Sequence, residues 1–380
     1  MANTLTSLAA DIYKAADTVG RELVGIISSV TINGGTERVA KGDTVRSFFT
    51  RAQTVNTTFS PSMTIPEGDD QTVDNKTATV DSFVRVSIPW TGEDIKHVNN
   101  GNGYETIYGD QIKQAFRTCV NKIELDGWSA VYKTASRGYG TAGTTPFASN
   151  FNDLPQLHKI LADNGAPVGD GQWSVIMDTA AGANLRSLAT LQKANESGGT
   201  ELLRQGVLLD LLGFMLKESA QIGLHTKGTG ATYQLSAAGS VNDTTINVDT
   251  GTGTLLAGDI VTIAGTTHKY VANTALASGI FTIGSPGLRV AEADNDAITI
   301  GNNYTANIAL HRSAVELAMR PPAMPVGGDA ADDVMIVQDP HSGLSFEIAV
   351  YKGYMKTMIE VRALYGWKAW KPDFIANLLG

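Results

Sequence analysis

The residues whose types and spacing could do chemistry are few, and each lacks the context its chemistry requires. Gly138-Tyr139-Gly140-Thr141-Ala142-Gly143 matches G-x-G-x-x-G, the run that lets a backbone approach a pyrophosphate at a helix N-terminus. That chemistry needs a strand before the run and a helix after it. Here a long helical pattern precedes it and no helix follows, so it reads as a helix-ending loop. Six histidines (His97, His158, His225, His268, His311 and His341) show neither H-E-x-x-H nor any paired metal-ligand spacing. Cys119 falls on an apolar helical stripe, where burial keeps a thiol inert. The sequence contains no nucleophile elbow and no Walker loop. Glu292-Ala293-Asp294-Asn295-Asp296 has the acidic spacing of a calcium loop without its glycine or distal glutamate, so a strand-connecting turn is expected. The sequence assigns no catalytic, cofactor-binding or metal-ligating residue, and no enzyme activity is expected.

Composition narrows the classes further. At 380 residues the chain is long enough for two or three domains. Apolar residues make up 42% and charged residues 18%, ordinary values for a globular protein. A net charge of −9 argues against nucleic-acid binding through a broad basic surface. One cysteine cannot form an internal disulfide, and no run approaches the ~18 apolar residues of a membrane span. A protein of a cytoplasm-like compartment is the expectation.

The elements that must position these residues are of several kinds. Leu5, Leu8, Ile12, Ala15, Val19, Leu23 and Ile26 recur in steps of three and four, which predicts an amphipathic helix that must dock on its own domain or a neighbour. Thr44–Phe49 and Asp81–Ile88 read as two strands of an extended hairpin, with a charged tip at Glu67, Gly68, Asp69 and Asp70. A hairpin that long is marginal alone in water, so a neighbouring subunit is its expected support. Tyr104 to Val131 predicts one unbroken helix, ended by Gly138 and Gly140. A helix near 154–161, a buried strand at 173–177 and a helix capped by Asp178 follow, and strands are expected at 334–337, 346–350 and 355–363. Between Gly228 and Asn303 lies a stretch rich in Gly, Thr and Ala, whose firm positive charges are Lys269 and Arg289. Short alternating runs at 245–248, 259–263, 268–271, 280–283 and 297–300 predict a self-contained, separately folding β module inserted into the host.

Three stretches carry a resemblance. Leu212-Gly213-Phe214-Met215-Leu216-Lys217-Glu218-Ser219 precedes the insertion. Asn307-Ile308-Ala309-Leu310-His311-Arg312-Ser313-Ala314-Val315-Glu316-Leu317-Ala318-Met319-Arg320-Pro321-Pro322 follows it, with Ser313 where the family often has Asp. Arg362-Ala363-Leu364-Tyr365-Gly366-Trp367-Lys368-Ala369-Trp370-Lys371-Pro372 lies near the end. In their order and spacing, the chain resembles the major capsid proteins of tailed bacteriophages with the Hong Kong 97-type fold. It is most similar to podovirus coat proteins that carry an inserted β-rich, Ig-like domain.

The resemblance implies an α+β phage capsid fold divided into an N-terminal arm (1–39), an extended loop hairpin (40–80), a peripheral domain with a long spine helix (81–144, resumed at 341–380), an axial domain (145–225, resumed at 305–340) and an inserted all-β domain (226–304). It implies hexamers and pentamers of the chain in an icosahedral virion shell, assembled in the bacterial host cytoplasm. That shell encloses double-stranded DNA without sequence-specific binding, works with scaffolding and portal proteins, and involves no membrane. Leu5, Leu8, Ile12, Glu67, Asp69 and Asp70 are the expected subunit-interface residues. The arm and loop account for nearly all of the chain ahead of the spine helix, so scaffold encoded elsewhere and an unprocessed N-terminus are expected. The alternatives are an encapsulin-type compartment shell, an enzyme, or an adhesin suggested by the Thr/Gly-rich module.

Overall fold

A computed structural model describes residues 21–50, 57, 59–65, 73–99, 104–192 and 210–380. Its axis is the 28-residue helix Tyr104–Val131. Ile112, Ala115, Phe116, Cys119, Val120, Ile123 and Val131 lie on its buried side, in the three- and four-residue steps that align side chains on one helix face. This face packs on a six-stranded sheet, where Phe116 meets Phe346 edge to face at 5.5 Å. Gly127 permits the close approach: a Cβ there would lie 2.5 Å from the Trp367 ring, whose Nε1 donates to the Ile123 carbonyl at 3.1 Å.

The sheet is organised by the 14-residue strand Lys356–Ala369. Ser82–Thr91 pairs along one edge of it, and Ser345–Gly353 and then Val315–Arg320 share the other. Ala331–Gln338 and Thr31–Gly34 complete the layer. Ser82–Thr91 buries Val84, Ile88 and Trp90, the alternation of a strand with one covered face.

The expected hairpin exists with a different second strand. Thr44–Thr50 pairs with Val73–Thr79, in register from Thr44↔Thr79 to Thr50↔Val73, while Ser82–Thr91 belongs to the host sheet. The sequence Val-Asp-Asn-Lys-Thr-Ala-Thr has almost no apolar alternation, so its strand state comes from pairing and not from burial.

The arm helix also needs correction over its described part. Residues 21–26 carry no helix; a 3-10 turn at Ile27–Ser29 leads into strand Thr31–Gly34. The cause is Glu124, whose carboxylate takes the N–H groups of Ile26 at 2.7 Å and Ile27 at 2.9 Å. Those donors would otherwise serve helix carbonyls.

A second sheet carries the rest of the host. Trp173–Met177, buried throughout, pairs with Tyr304–His311, which pairs with the C-terminal strand Ile375–Leu379. Continuous apolar runs of this kind fit strands covered on both faces. The helix Asp153–Asp163 buries Leu154, Leu157, Ile160 and Leu161 against them. The helix Thr179–Ser187 is capped by Asp178, which accepts from Ala180 and Ala181. Arg137–Gly140 is a strand, parallel to Ile375–Leu379, so the glycine-rich run is not the helix-ending loop expected of it. The helix stops earlier, at Val131, and a 3-10 turn Tyr132–Thr134 follows.

The stretch between 228 and 303 forms six short strands, Tyr233–Leu235, Thr245–Asp249, Ile260–Ile263, Lys269–Val271, Ile280–Thr282 and Ala297–Ile300. They enclose their own apolar cluster, including Tyr233, Phe281, Leu288 and Ile298. The six strands close on themselves where Ala272 bridges Ile283 and the Asn273 N–H donates to the Thr282 carbonyl at 2.7 Å, while Lys269–Val271 also pairs antiparallel with Arg137–Gly140 and joins the module's ladder to the host's.

One turn recurs. Asp243, Asp259 and Asp296 each return a backbone N–H to the carbonyl three residues earlier and accept that residue's N–H on a carboxylate oxygen. Asp43, in the extended loop, does the same with Ala40. The residue before each aspartate, Gly42, Asn242, Gly258 or Asn295, has positive φ, as a type II turn requires at that position.

Candidate assembly interface

The six residues expected at subunit contacts, Leu5, Leu8, Ile12, Glu67, Asp69 and Asp70, all lie outside the described residues. What the described residues show instead is apolar. Phe59 is 92% exposed, Met63 fully so and Ile65 91%, on an irregular stretch of the hairpin connection that bends at Met63 and Thr64. Large apolar side chains left in water together mark a surface that another molecule covers. Tyr354 and Met355 are similarly exposed at the turn between Ser345–Gly353 and Lys356–Ala369, and so is Val326 in the loop after Arg320. The hairpin signal was present in the sequence: Phe59, Met63 and Ile65 alternate with Ser60, Ser62 and Thr64.

Elsewhere in the chain, buried polar groups fix the arm and the central sheet. Where the arm enters the described structure, Arg21 pairs with Asp339 at 2.5 Å, both buried, and Glu22 grips Arg117 of the long helix. The Arg117 hydrogen bond holds the Glu22 carboxyl down at about 2. Glu124, fully buried, also accepts from Ser219 at 2.8 Å. Burial raises its pKa in spite of these donors. Arg362 binds Glu347 at 2.7 Å and the Tyr351 hydroxyl at 2.6 Å, while Arg38 reaches the other Glu347 oxygen at 2.6 Å. These bonds tie the start of the hairpin to the central sheet.

Two histidines sit in arrangements that imitate catalytic ones. Tyr132 Oη lies 3.1 Å from His225 Nδ1, and His225 Nε2 lies 2.8 Å from Asp259. This is the order of nucleophile, base and orienting acid. Burial pushes the Tyr132 phenol up to about 12, and the His225 ring is closed in beneath Tyr304. Asp259 also accepts from Gly228 and Leu256, so the group ties the module to the end of the long helix. His311 bridges Ser313 and Asp170, each at 2.7 Å, and pins the 165–172 loop to its strand. The His311 hydrogen bond lowers the Asp170 pKa. Cys119 is buried, its thiol pushed up to about 12 by desolvation. Among the described residues no His, Cys, Asp and Glu cluster could hold a metal, and no helix is long and apolar enough to cross a membrane.

Comparison with known proteins adds the fold. No family model and no curated protein matches the sequence. Among solved structures, the chain is similar to the capsid structure of the cyanophage P-SCSP1u over 95% of its length and 89% of that chain, at 11% identity and a TM-score of 0.51. A Mycobacterium phage Che8 chain aligns over 96% of this chain and 90% of its own, at 16% identity and a TM-score of 0.46. The mature capsid of bacteriophage PhiM1 aligns over 96% and 89%, at 11% identity and a TM-score of 0.47. The cyanophage alignment defines the class of fold: it is a phage capsid fold, shared along nearly the whole chain. At such identity the likeness is one of fold, and the particular role is argued next.

Proposed function

We propose that this chain is the major capsid protein of a tailed bacteriophage, a structural subunit that assembles in many copies into an icosahedral shell around double-stranded DNA. The observation that carries this reading is the capsid fold spanning 95% of the chain. The uncovered apolar strip Phe59, Met63 and Ile65 supports it, because a projecting hairpin with that strip needs a neighbour. In this reading the acidic tip at Glu67, Asp69 and Asp70 and the arm stripe at Leu5, Leu8 and Ile12 contribute further subunit contacts. Residues 226–304 form an inserted domain that aids folding or decorates the shell, and scaffolding and portal proteins act as partners during assembly in the host cytoplasm.

Electron microscopy and sedimentation of the chain, purified alone and after co-expression with the phage's other structural proteins, test the proposal. Closed shells are expected, and DNA inside the particles recovered from infected cells. Shells loaded with an enzyme would point to a compartment, and a chain that stays monomeric in every arm would overturn the reading. Replacing Phe59, Met63 and Ile65 together by Ser should abolish shells while changing folding stability by less than about 0.5 kcal/mol, as exposed positions do.

A further inference from the structure

The glycine-rich strand Arg137–Gly140 forms one wall of a cavity of about 380 Å³. Gln156, Lys159 and Asp163 of the helix Asp153–Asp163 form the second wall, and Thr267, His268 and Lys269 of the β module form the third. The charge is one-sided. Arg137, Lys159 and Lys269 line the cavity and Arg289 acts on it from close by, whereas Asp163 is the one carboxylate among the described lining residues. Asp163 lies 3.8 Å from Arg137, and its side chain is substantially exposed to water, so it neutralises the cluster poorly.

Arg137 itself is only 5% exposed. One of its terminal nitrogens donates to Asn164 and the Ile160 carbonyl, but its Nε is buried and has no partner. Burial lowers the pKa of Arg137, and Arg289 lowers it further. His268 is likewise lowered, first by burial and then by Arg137, Arg289 and Lys159, against Asp163. The cations therefore repel one another across a space that no described residue fills.

We propose that this cavity binds a small multivalent oxyanion, of the phosphate or pyrophosphate type, between the module and the host. The anion accepts from Arg137 and Lys159, offsets the repulsion, and joins three separate chain segments at the place where the module's ladder meets the host sheet.

Calorimetric titration of the full chain with orthophosphate, and separately with pyrophosphate, in phosphate-free buffer tests this. The His268 ring resonance, assigned with a His268→Gln variant, reports position. Saturable binding is expected, with the His268 titration midpoint moving to higher pH. Lys159 is exposed, so Lys159→Glu should fold and bind about tenfold more weakly or worse, the scale of one lost charge-assisted bond. Lys122→Glu, the same charge change on the long helix, should bind as the parent does. The relative affinities of the two anions show which of them the cavity selects. No saturable binding of either anion at millimolar concentration, equal affinity in Lys159→Glu, or binding that leaves the His268 resonance unmoved would each overturn the proposal.

Discussion

The host sheet around Lys356–Ala369 and the module between 228 and 303 bury apolar side chains by different means. The host uses length: strands of 14, 10 and 9 residues lie side by side and their ladders define register over many pairs. It can then bury charge, holding Glu124, Glu347 and Arg362 among apolar neighbours where each finds partners. The module has strands of three to five residues, too short for ladders alone to fix the chain. It substitutes the repeated turn at Asp243, Asp259 and Asp296, in which an aspartate closes both hydrogen bonds of the bend. Register comes from the strands in one region and from the corners in the other.

The sharpest test attacks a corner. Asp259→Ala strands the Gly228 N–H and the His225 ring in a buried site and the part-buried N–H of Leu256 beside them. With about 1–3 kcal/mol per unsatisfied group, a loss of about 4 kcal/mol is expected. Calorimetry should show the module's transition falling first. An equal fall across one undivided transition would break the contrast between the regions.

Next comes the host's buried carboxylate. Burial raises the folded-state pKa of Glu124, so the folded chain keeps this proton to higher pH than the unfolded chain does. Its contribution is full below the unfolded-state value and declines as pH rises through the folded one. Denaturant melts across that interval should show stability falling with pH, and Glu124→Gln should flatten that slope. An unchanged slope would mean that other groups set it.

The smallest effect belongs to a corner residue that is itself exposed. Asn242 holds φ at 73°, and Ala there should cost about 1 kcal/mol, the price of left-handed backbone without the Asn side chain. A neutral substitution would show that the turn follows the strands after all.

Much of this was legible in the sequence, and what was missed has a pattern. Trp173–Met177 and Tyr104–Val131 were readable because their apolar spacing is local and strong. Five of the module's strands were readable from alternation between turn residues, whereas Tyr233–Leu235, as short as two of those, has no β-branched residue to mark it. Val73–Thr79 was missed because pairing makes it a strand and its residues do not. Arg137–Gly140 was missed because its two glycines hide a strand whose partners lie more than a hundred residues away. The cationic cavity was invisible because Arg137 and Lys159 lie on different elements and His268 joins them from more than a hundred residues away. The exposed strip at Phe59, Met63 and Ile65 was in plain view, but loop residues are usually read for charge and turn chemistry.

The pairing of Lys269 with Gly138 and Tyr270 with Arg137 makes the module a stiffly mounted fitting rather than a pendant. With the Tyr132–His225–Asp259 chain acting as a second bolt and the Tyr304 hydroxyl donating to the Gly258 carbonyl, it is held to the host at more than one point. Its outer corners keep one heading relative to the floor beneath. In a closed array of copies, every such corner would point at the same angle, and a ligand spanning two of them would meet a fixed spacing.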